Sequence, residues 1–370
     1  MSFPIVQFGT SRFLQAHFDL FVSEARAAGQ DAGPIVVVQT TSSPDSRRRL
    51  AFFNSGKPYR VHVRGLAGGA TIDEMVEAAS IGRGIDANLE WSALEDLFVN
   101  DARWVVSNTG DRGYELTEGD APEGSEPRSF PAKLTKLLLA RFRAGRAPLT
   151  LFPCELIVSN GDRLKALVLG IAQGWKLGDA FADWVANECL WVNSLVDRIV
   201  SEPLEPAGAV AEPYALWAVA NQPGLHMPCV HSAIILTDDL PRYERLKLFI
   251  LNLGHTWLAE GWAARGGEKG MTVRVLLADA GVLADLNDLY DREVLPVFAD
   301  IGLGDEARAY RASVIERFRN PFLNHFLADI FTNHEAKKAR RFGGIIALKK
   351  EHGIGVVQPR LEAALAPARG

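Results

Sequence analysis

Apolar positions open the chain as a short run, Ile5-Val6-Gln7-Phe8, which predicts a strand. Gly9-Thr10-Ser11 follows as a turn. Phe13, Leu14, Phe18, Phe21, Val22 and Ala25 then make one apolar stripe, so a helix is expected until Gly33-Pro34 breaks it. Ile35-Val36-Val37-Val38 is a second strand. Strand, turn, helix and strand in this order form a βαβ unit. The strand runs are continuous rather than alternating. They belong to strands covered on both faces, hence to a parallel sheet.

Tyr59-Arg60-Val61-His62-Val63 alternates as a further strand. Trp104-Val105-Val106-Ser107 leads into the polar loop Asn108-Thr109-Gly110, and Leu149-Thr150-Leu151-Phe152 ends at Pro153-Cys154-Glu155. Ala233-Ile234-Ile235-Leu236 is expected to be the last strand. Helical stretches lie between them, at Pro131–Phe142 and Arg163–Gln173. After Asp238-Asp239-Leu240-Pro241 the pattern is mostly helical to about Leu348. The expected organisation is α/β: a Rossmann-type domain over 1–240 and a helical substrate and catalytic domain over 241–370. Residues 115–129 are expected to form an exposed loop, and the Ala/Pro/Arg-rich tail from Pro359 to fray.

Composition adds limits. The 370 residues are 48% hydrophobic with a net charge of −5, which gives no bulk attraction to nucleic acid or an anionic membrane. The basic clusters Arg47-Arg48-Arg49 and Lys337-Lys338-Ala339-Arg340-Arg341 are short; they read first as solvated faces and second as anion sites. Three cysteines, Cys154, Cys189 and Cys229, with no CxxC, fit a reducing compartment. No signal-peptide pattern opens the chain, and no apolar run reaches the ~18 residues of a membrane span. A cytoplasmic protein acting on a small molecule is expected, with its oligomeric state open.

Lys247-Leu248-Phe249-Ile250-Leu251-Asn252-Leu253-Gly254-His255 carries the candidate chemistry. At ~100° per residue, Lys247, Asn252 and His255 fall within an arc of about 140°. One helix face then offers an amine that can lose its proton, an amide donor and an imidazole. The apolar wall between them would desolvate the amine and lower its pKa. A base, an oxyanion donor and a hydroxyl partner are what alcohol oxidation without a metal needs of the protein. The same three residues also suit an ordinary solvated helix face.

Ligands of open parallel sheets sit beyond the carboxyl ends of the strands. The loops there are Gly9-Thr10-Ser11-Arg12-Phe13, Gln39-Thr40-Thr41-Ser42 and Ser107-Asn108-Thr109-Gly110. The first leads into a helix whose amides could meet a pyrophosphate, with Arg12 adding charge. The GxGxxG pattern is incomplete: Ser11 and Leu14 stand at the second and third glycine positions. Gln39-Thr40-Thr41 replaces the acid that binds the adenosine ribose, so NAD against NADP stays open.

Assembled, these segments resemble the long-chain polyol dehydrogenases: the mannitol dehydrogenase, mannonate and altronate oxidoreductase and mannitol-1-phosphate dehydrogenase family. The resemblance runs from about Ile5 to Arg341. Its strongest element is Lys-x4-Asn-x2-His at Lys247, Asn252 and His255. Support comes from Gln7-Phe8-Gly9 with Phe13 and Ala16, Ser107-Asn108-Thr109, Phe130-Pro131-Ala132-Lys133-Leu134, Glu212-Pro213 with Trp217, and Arg317-Phe318-Arg319-Asn320-Pro321. Pro153-Cys154-Glu155-Leu156-Ile157 with Asn160-Gly161 is most similar to the tagaturonate reductase branch.

The resemblance implies NAD and an active site between two domains. Lys247 would be the general base, Asn252 and Asn160 would hydrogen-bond the reacting oxygen, and His255 a neighbouring hydroxyl. Arg317 would meet a substrate hydroxyl or carboxylate, with Glu212 lining the same pocket. Gly9, Ser11, Arg12, Phe13, Gln39, Thr40, Ser107, Asn108 and Thr109 would face the cofactor. Departures are Gly9-Thr10-Ser11 for Gly-x-Gly, Gly110-Asp111 for Thr-Glu, and a short chain.

The reaction expected is interconversion of a polyol or aldonate with its ketose or ketouronate. The alternatives are a sugar-phosphate dehydrogenase of the mannitol-1-phosphate type, an isomerase or epimerase with tightly held cofactor, and a non-catalytic sensor. No metal is expected. His226, Cys229 and His231 are the nearest approach to a zinc cluster, but their spacing matches no closed site. His325 and His334 are expected at the surface or in caps, and His17 to be structural or near the cofactor.

Overall fold

The computed structural model describes residues 2–110, 112–123 and 126–366; Asp111 and the end of the tail lie outside them. The chain divides into two compact units. Unit 1 comprises Met1–Val63, Glu74–Ala211 and Ala215–Leu240; unit 2 comprises Arg64–Asp73, Glu212–Tyr214 and Pro241–Gly370.

Unit 1 is built on a six-stranded parallel sheet: β1 (Ile5–Phe8), β2 (Ile35–Gln39), β3 (Ile81–Asp86), β4 (Trp104–Ser107), β5 (Thr150–Pro153) and β6 (Leu190–Trp191). Their order across the sheet is β3-β2-β1-β4-β5-β6, the dinucleotide-binding arrangement with its switch point between β1 and β4. Alternate side chains enter two cores. Val6, Phe8, Val36, Val38, Val105 and Leu151 pack on one face, and Ile5, Ile35, Val37, Val106 and Phe152 on the other. Coverage on both faces is why these strands read as unbroken apolar runs.

β3 carries no such run. Gly82 lies against Phe3 and Pro34, and Gly84 against Leu50 of the helix Pro44–Phe53. A Cβ on Gly84 would stand 2.7 Å from Leu50 Cδ2. Close packing removes the hydrophobic signal that strand prediction needs. The helix expected after β1 is two: Arg12–Gln15, capped by the Ser11 side chain, and Phe18–Ala27. The break is at His17, whose Nε2 lies 3.0 Å from the Leu216 carbonyl while its ring sits against Phe13 and Phe21.

Unit 2 is mostly helical around Ile250, Leu253, Leu258, Leu286, Leu289, Phe298, Phe342 and Ile345. Polar contacts hold its two outlying segments. Asn320 Nδ2 donates to the Arg64 carbonyl, the Arg64 guanidinium covers the Phe322 ring, and Glu316 accepts from the amides of Gly68 and Gly69. Hydrophobic periodicity could not show these contacts. The tail is ordered through the helix Pro359–Leu365, contrary to the fraying expected from its composition. The buried Glu293 carboxylate accepts from the amides of Arg360 and Leu361, and Leu361 is fully buried. Among the described residues no helix is long and apolar enough to cross a membrane.

Candidate active site

In unit 1 the switch point brings Gly9 and Asn108 together. Gly9 has φ +116°, and a Cβ there would stand 2.5 Å from the Asn108 carbonyl oxygen. Glycine is required on both counts. Thr10 Oγ1 donates to Ser46 Oγ, and Arg49 reaches the same hydroxyl. Arg12 is exposed, Phe13 half-buried against His17, and Thr40 half-buried.

The loop after β4 is held by a residue that sequence reasoning assigned no role. Glu155 accepts from Ser107 Oγ (3.0 Å), the Thr109 amide (3.0 Å), Thr109 Oγ1 (2.9 Å) and Tyr114 Oη (3.3 Å). Asn108 Nδ2 donates to the Cys154 carbonyl. Gln39 is buried, its Nε2 donating to the carbonyls of Thr41 and Ser43. These side chains are therefore tied into the protein, and what the loops present is backbone.

Asn160 is also tied down. Its Nδ2 meets the carbonyls of Pro153, Glu155 and Ser194, and its Oδ1 accepts from the amides of Gly161 and Ser194. It is 1% exposed. Both hydrogens of this amide are directed at main-chain carbonyls of unit 1. It joins the end of β5 to the next helix.

In unit 2, Lys247–Asn252 is not α-helical but a π-helix, followed by the α-helix Leu253–Ala264. The Leu253 amide donates to the Leu248 carbonyl, the five-residue span that defines the π-turn. The wider turn brings Lys247 and Asn252, about 140° apart on a regular α-helix, nearer to one face. Tyr290 stabilises the widening by donating to the Ile250 carbonyl at 2.7 Å. Its hydroxyl lies where a Cβ at Gly254 would stand.

Lys247 and Asn252 are half-buried and His255 is 7% exposed. The Asn252 side-chain amide makes no hydrogen bond among the described residues, in contrast to Asn160; its backbone carbonyl accepts from Thr256 Oγ1 and Arg341 Nη1. His255 Nε2 is buried without a partner. Its ring lies 4.4 Å from that of Phe318 and 4.6 Å from that of His325. Burial, then the charges of His325, Arg341, Arg317 and Lys337, hold the His255 pKa well below the usual histidine value. Burial lowers His325 to about 4, with Asp329 opposing and Lys337 and Arg317 assisting. Both imidazoles are neutral near pH 7.

Arg317 and Glu212 meet, but on each other. Arg317 Nη2 lies 2.8 Å from Glu212 Oε1, Arg317 Nε lies 3.1 and 3.0 Å from the two carboxylate oxygens, and both side chains are 2% exposed. The guanidinium also covers Tyr214 at 4.3 Å and reaches Tyr310 Oη. The pair forms a buried framework within unit 2.

The remaining histidines are placed differently from expectation. His325 faces His255, and His334 is buried, stacked on Phe331 and bonded to Glu260 at 2.5 Å. His231 pairs with Glu24, and the Cys229 thiol is pushed up to about 12 by burial. No group of three or more His, Cys, Asp or Glu among the described residues is placed to hold a metal ion.

Residues 4–226 match the mannitol dehydrogenase Rossmann domain, and residues 239–366 match the mannitol dehydrogenase C-terminal domain. The chain belongs to the mannitol dehydrogenase family. Altronate oxidoreductase of Bacillus subtilis (strain 168) is 31% identical over 358 residues, covering 90% of this chain and 72% of the relative. Altronate oxidoreductase of Klebsiella pneumoniae subsp. pneumoniae is 31% identical over 389 residues, covering 98% and 78%. Two solved structures share the fold. D-sorbitol dehydrogenase in substrate-free form superposes with a TM-score of 0.82 at 20% identity, covering 99% of this chain and 80% of that one. Pseudomonas fluorescens mannitol 2-dehydrogenase, in a ternary complex with NAD and D-mannitol, gives 0.74 at 18% identity, covering 99% and 84%. This mannitol dehydrogenase family member is accordingly an oxidoreductase with a Rossmann-type domain and a helical C-terminal domain.

Proposed function

We propose that this protein interconverts a secondary alcohol of a polyol or aldonate with the matching ketose or ketouronate, using NAD. The tagaturonate–altronate pair is favoured by the relatives named altronate oxidoreductase. The observation that carries the chemistry is the π-turn Lys247–Asn252, which draws Lys247 and Asn252 toward one face and leads to a buried His255 Nε2 with no hydrogen-bond partner among the described residues.

Bound NAD supplies a hydride acceptor for the carbinol carbon. Lys247 takes the proton of the reacting hydroxyl. Asn252 Nδ2 donates to that oxygen as charge develops on it, and the neutral His255 hydrogen-bonds a neighbouring hydroxyl. Arg317 and Glu212 hold the scaffold under His255 and Phe318. At the sheet end, Gly9 admits the close approach a pyrophosphate needs, exposed Arg12 offers a cation, and Glu155 keeps the 107–109 backbone fixed. With side chains tied back, these loops fit a dinucleotide through backbone and shape. A nicotinamide dinucleotide without a 2′-phosphate is preferred because the family resemblance favours NAD.

The test is Lys247→Ala. Turnover of altronate or a related aldonate should fall by ~100-fold or more while dinucleotide affinity is nearly unchanged. Full activity in that variant refutes the assignment. A screen of polyols, aldonates, ketouronates and sugar phosphates with NAD and NADP, followed by absorbance, names the substrate. Turnover of a sugar phosphate alone would overturn the aldonate reading.

A further inference from the structure

Helix His334–Glu351 in unit 2 carries Lys337 and Arg341 one turn apart, both half-buried. Arg341 Nη1 donates to the Asn252 carbonyl at 3.0 Å and to Thr256 Oγ1 at 2.6 Å. Its guanidinium is thereby fixed to the turn that joins Asn252 to His255. Nε and Nη2, the edge that grips a carboxylate side-on, make no hydrogen bond among the described residues. Among the described residues Lys337 Nζ donates only to the Ile330 carbonyl, at 2.7 Å.

Neither cation is paired with a carboxylate among the described residues. Nearby cations are: Arg317 has Glu212, and Lys338 on the same helix shares Glu260 with His334 and also reaches Glu335. The acids facing the cluster are therefore engaged, except exposed Asp329 beside His325. Arg341 is lowered to about 10 by burial and by Arg340, and Lys337 is lowered by burial and by Arg341. Arg341 remains charged near pH 7. Two partly desolvated side chains therefore stand beside two neutral imidazoles, with no carboxylate paired to either among the described residues.

We infer that Arg341 and Lys337 form the subsite for the substrate's carboxylate, so that the anionic end of an aldonate is held in unit 2 beside the group that engages its reacting carbinol. This rests on the proposed roles of Lys247, Asn252 and His255. It adds what those roles leave open: an acid is preferred over the uncharged polyol of equal length. The Arg341 edge would hold both carboxylate oxygens, and Lys337 would act as a point charge.

The experiment compares kcat/KM for a six-carbon aldonate, the matching alditol and the matching alditol phosphate, all with NAD, in wild type, Lys337→Gln and Arg341→Lys. Lys337→Gln guards against loss of fold, because Arg341 braces the helix junction. The expected result is a roughly 10- to 100-fold fall in the aldonate-to-alditol ratio, carried mainly by KM. Equal losses for aldonate and alditol in both variants overturn the subsite. So does a preference for the phosphate that the same variants abolish, which would make this a phosphate site. Calorimetric titration of the aldonate into NAD-loaded protein separates this inference from the reaction. Binding weakened by Lys337→Gln in a protein that oxidises nothing sustains the subsite and sinks the redox reading.

Discussion

The hydroxyl of Tyr290 occupies the space that a side chain at Gly254 would need, and from there it donates to the carbonyl of Ile250 at 2.7 Å. The two residues together support the π-turn Lys247–Asn252. Tyr290→Phe removes the donor and leaves a buried carbonyl short of a partner. A loss of about 1–3 kcal/mol in urea unfolding is expected. Gly254→Ala drives the ring away and overpacks the core at a similar cost, of about 1–3 kcal/mol. Both should reduce kcat more than dinucleotide binding. Stability loss with unchanged kcat would detach the π-turn from catalysis.

Arg317 and Glu212 predict a stability phenotype. Removing one partner of a buried ion pair leaves an uncompensated charge, so Glu212→Ala should cost about 3–5 kcal/mol. Replacing both, as Glu212→Leu with Arg317→Met, should recover much of that loss. Chemical denaturation of the two variants decides it. A fully stable Glu212→Ala with a raised substrate KM would return Arg317 to the substrate.

Glu155 is predicted to govern the cofactor loop. Four hydrogen bonds from Ser107, Thr109 and Tyr114 converge on its carboxylate. In Glu155→Ala the loop backbone loses its anchor. Dissociation constants for NADH, read by fluorescence titration, should rise by roughly 10-fold or more, as expected for loss of one to two charge-assisted bonds. Unchanged affinity would show that the 107–109 segment does not meet the dinucleotide.

The parallel sheet was legible because four of its strands are buried on both faces and read as apolar runs. β3 was not, because Gly82 and Gly84 are selected by close packing against Phe3, Pro34 and Leu50. The candidate pattern at Lys247, Asn252 and His255 was legible as a spacing, but the π-turn beneath it was not. A π-turn depends on Tyr290, 38 positions beyond Asn252 in the chain, and on the room left at Gly254. Arg341 and Lys337 looked like a solvated basic run because nothing local marks the tertiary burial of that helix face. Asn160 and Arg317 were found by pattern and assigned to substrate. The internal partners of their polar atoms, main-chain groups for Asn160 and Glu212 for Arg317, were not legible in the sequence.

Asp19 gives the pH prediction with the clearest sign. It is fully buried in unit 1, with one oxygen near Gln7 Nε2 and Tyr59 Oη and the other unpartnered. Burial raises its pKa to about 7, against smaller opposing effects of the Gln7 and Tyr59 hydrogen bonds. Between about pH 4 and pH 7 the folded state holds a proton that the unfolded state has lost, so stability falls as pH rises through that window. A shift of about three units corresponds to about 4 kcal/mol. The buried histidines act oppositely. His255 and His325 stay neutral in the fold, so they reduce stability as pH falls below about 6.5, for His325 down to about 4. The wild-type profile mixes the two effects, and Asp19→Asn separates them, since the amide keeps an acceptor for Gln7 and Tyr59. In urea titrations, the stability of Asp19→Asn relative to wild type should rise by about 4 kcal/mol between pH 4 and pH 8. A difference that stays constant across that range would show that Asp19 ionises in the fold as it does in the open chain.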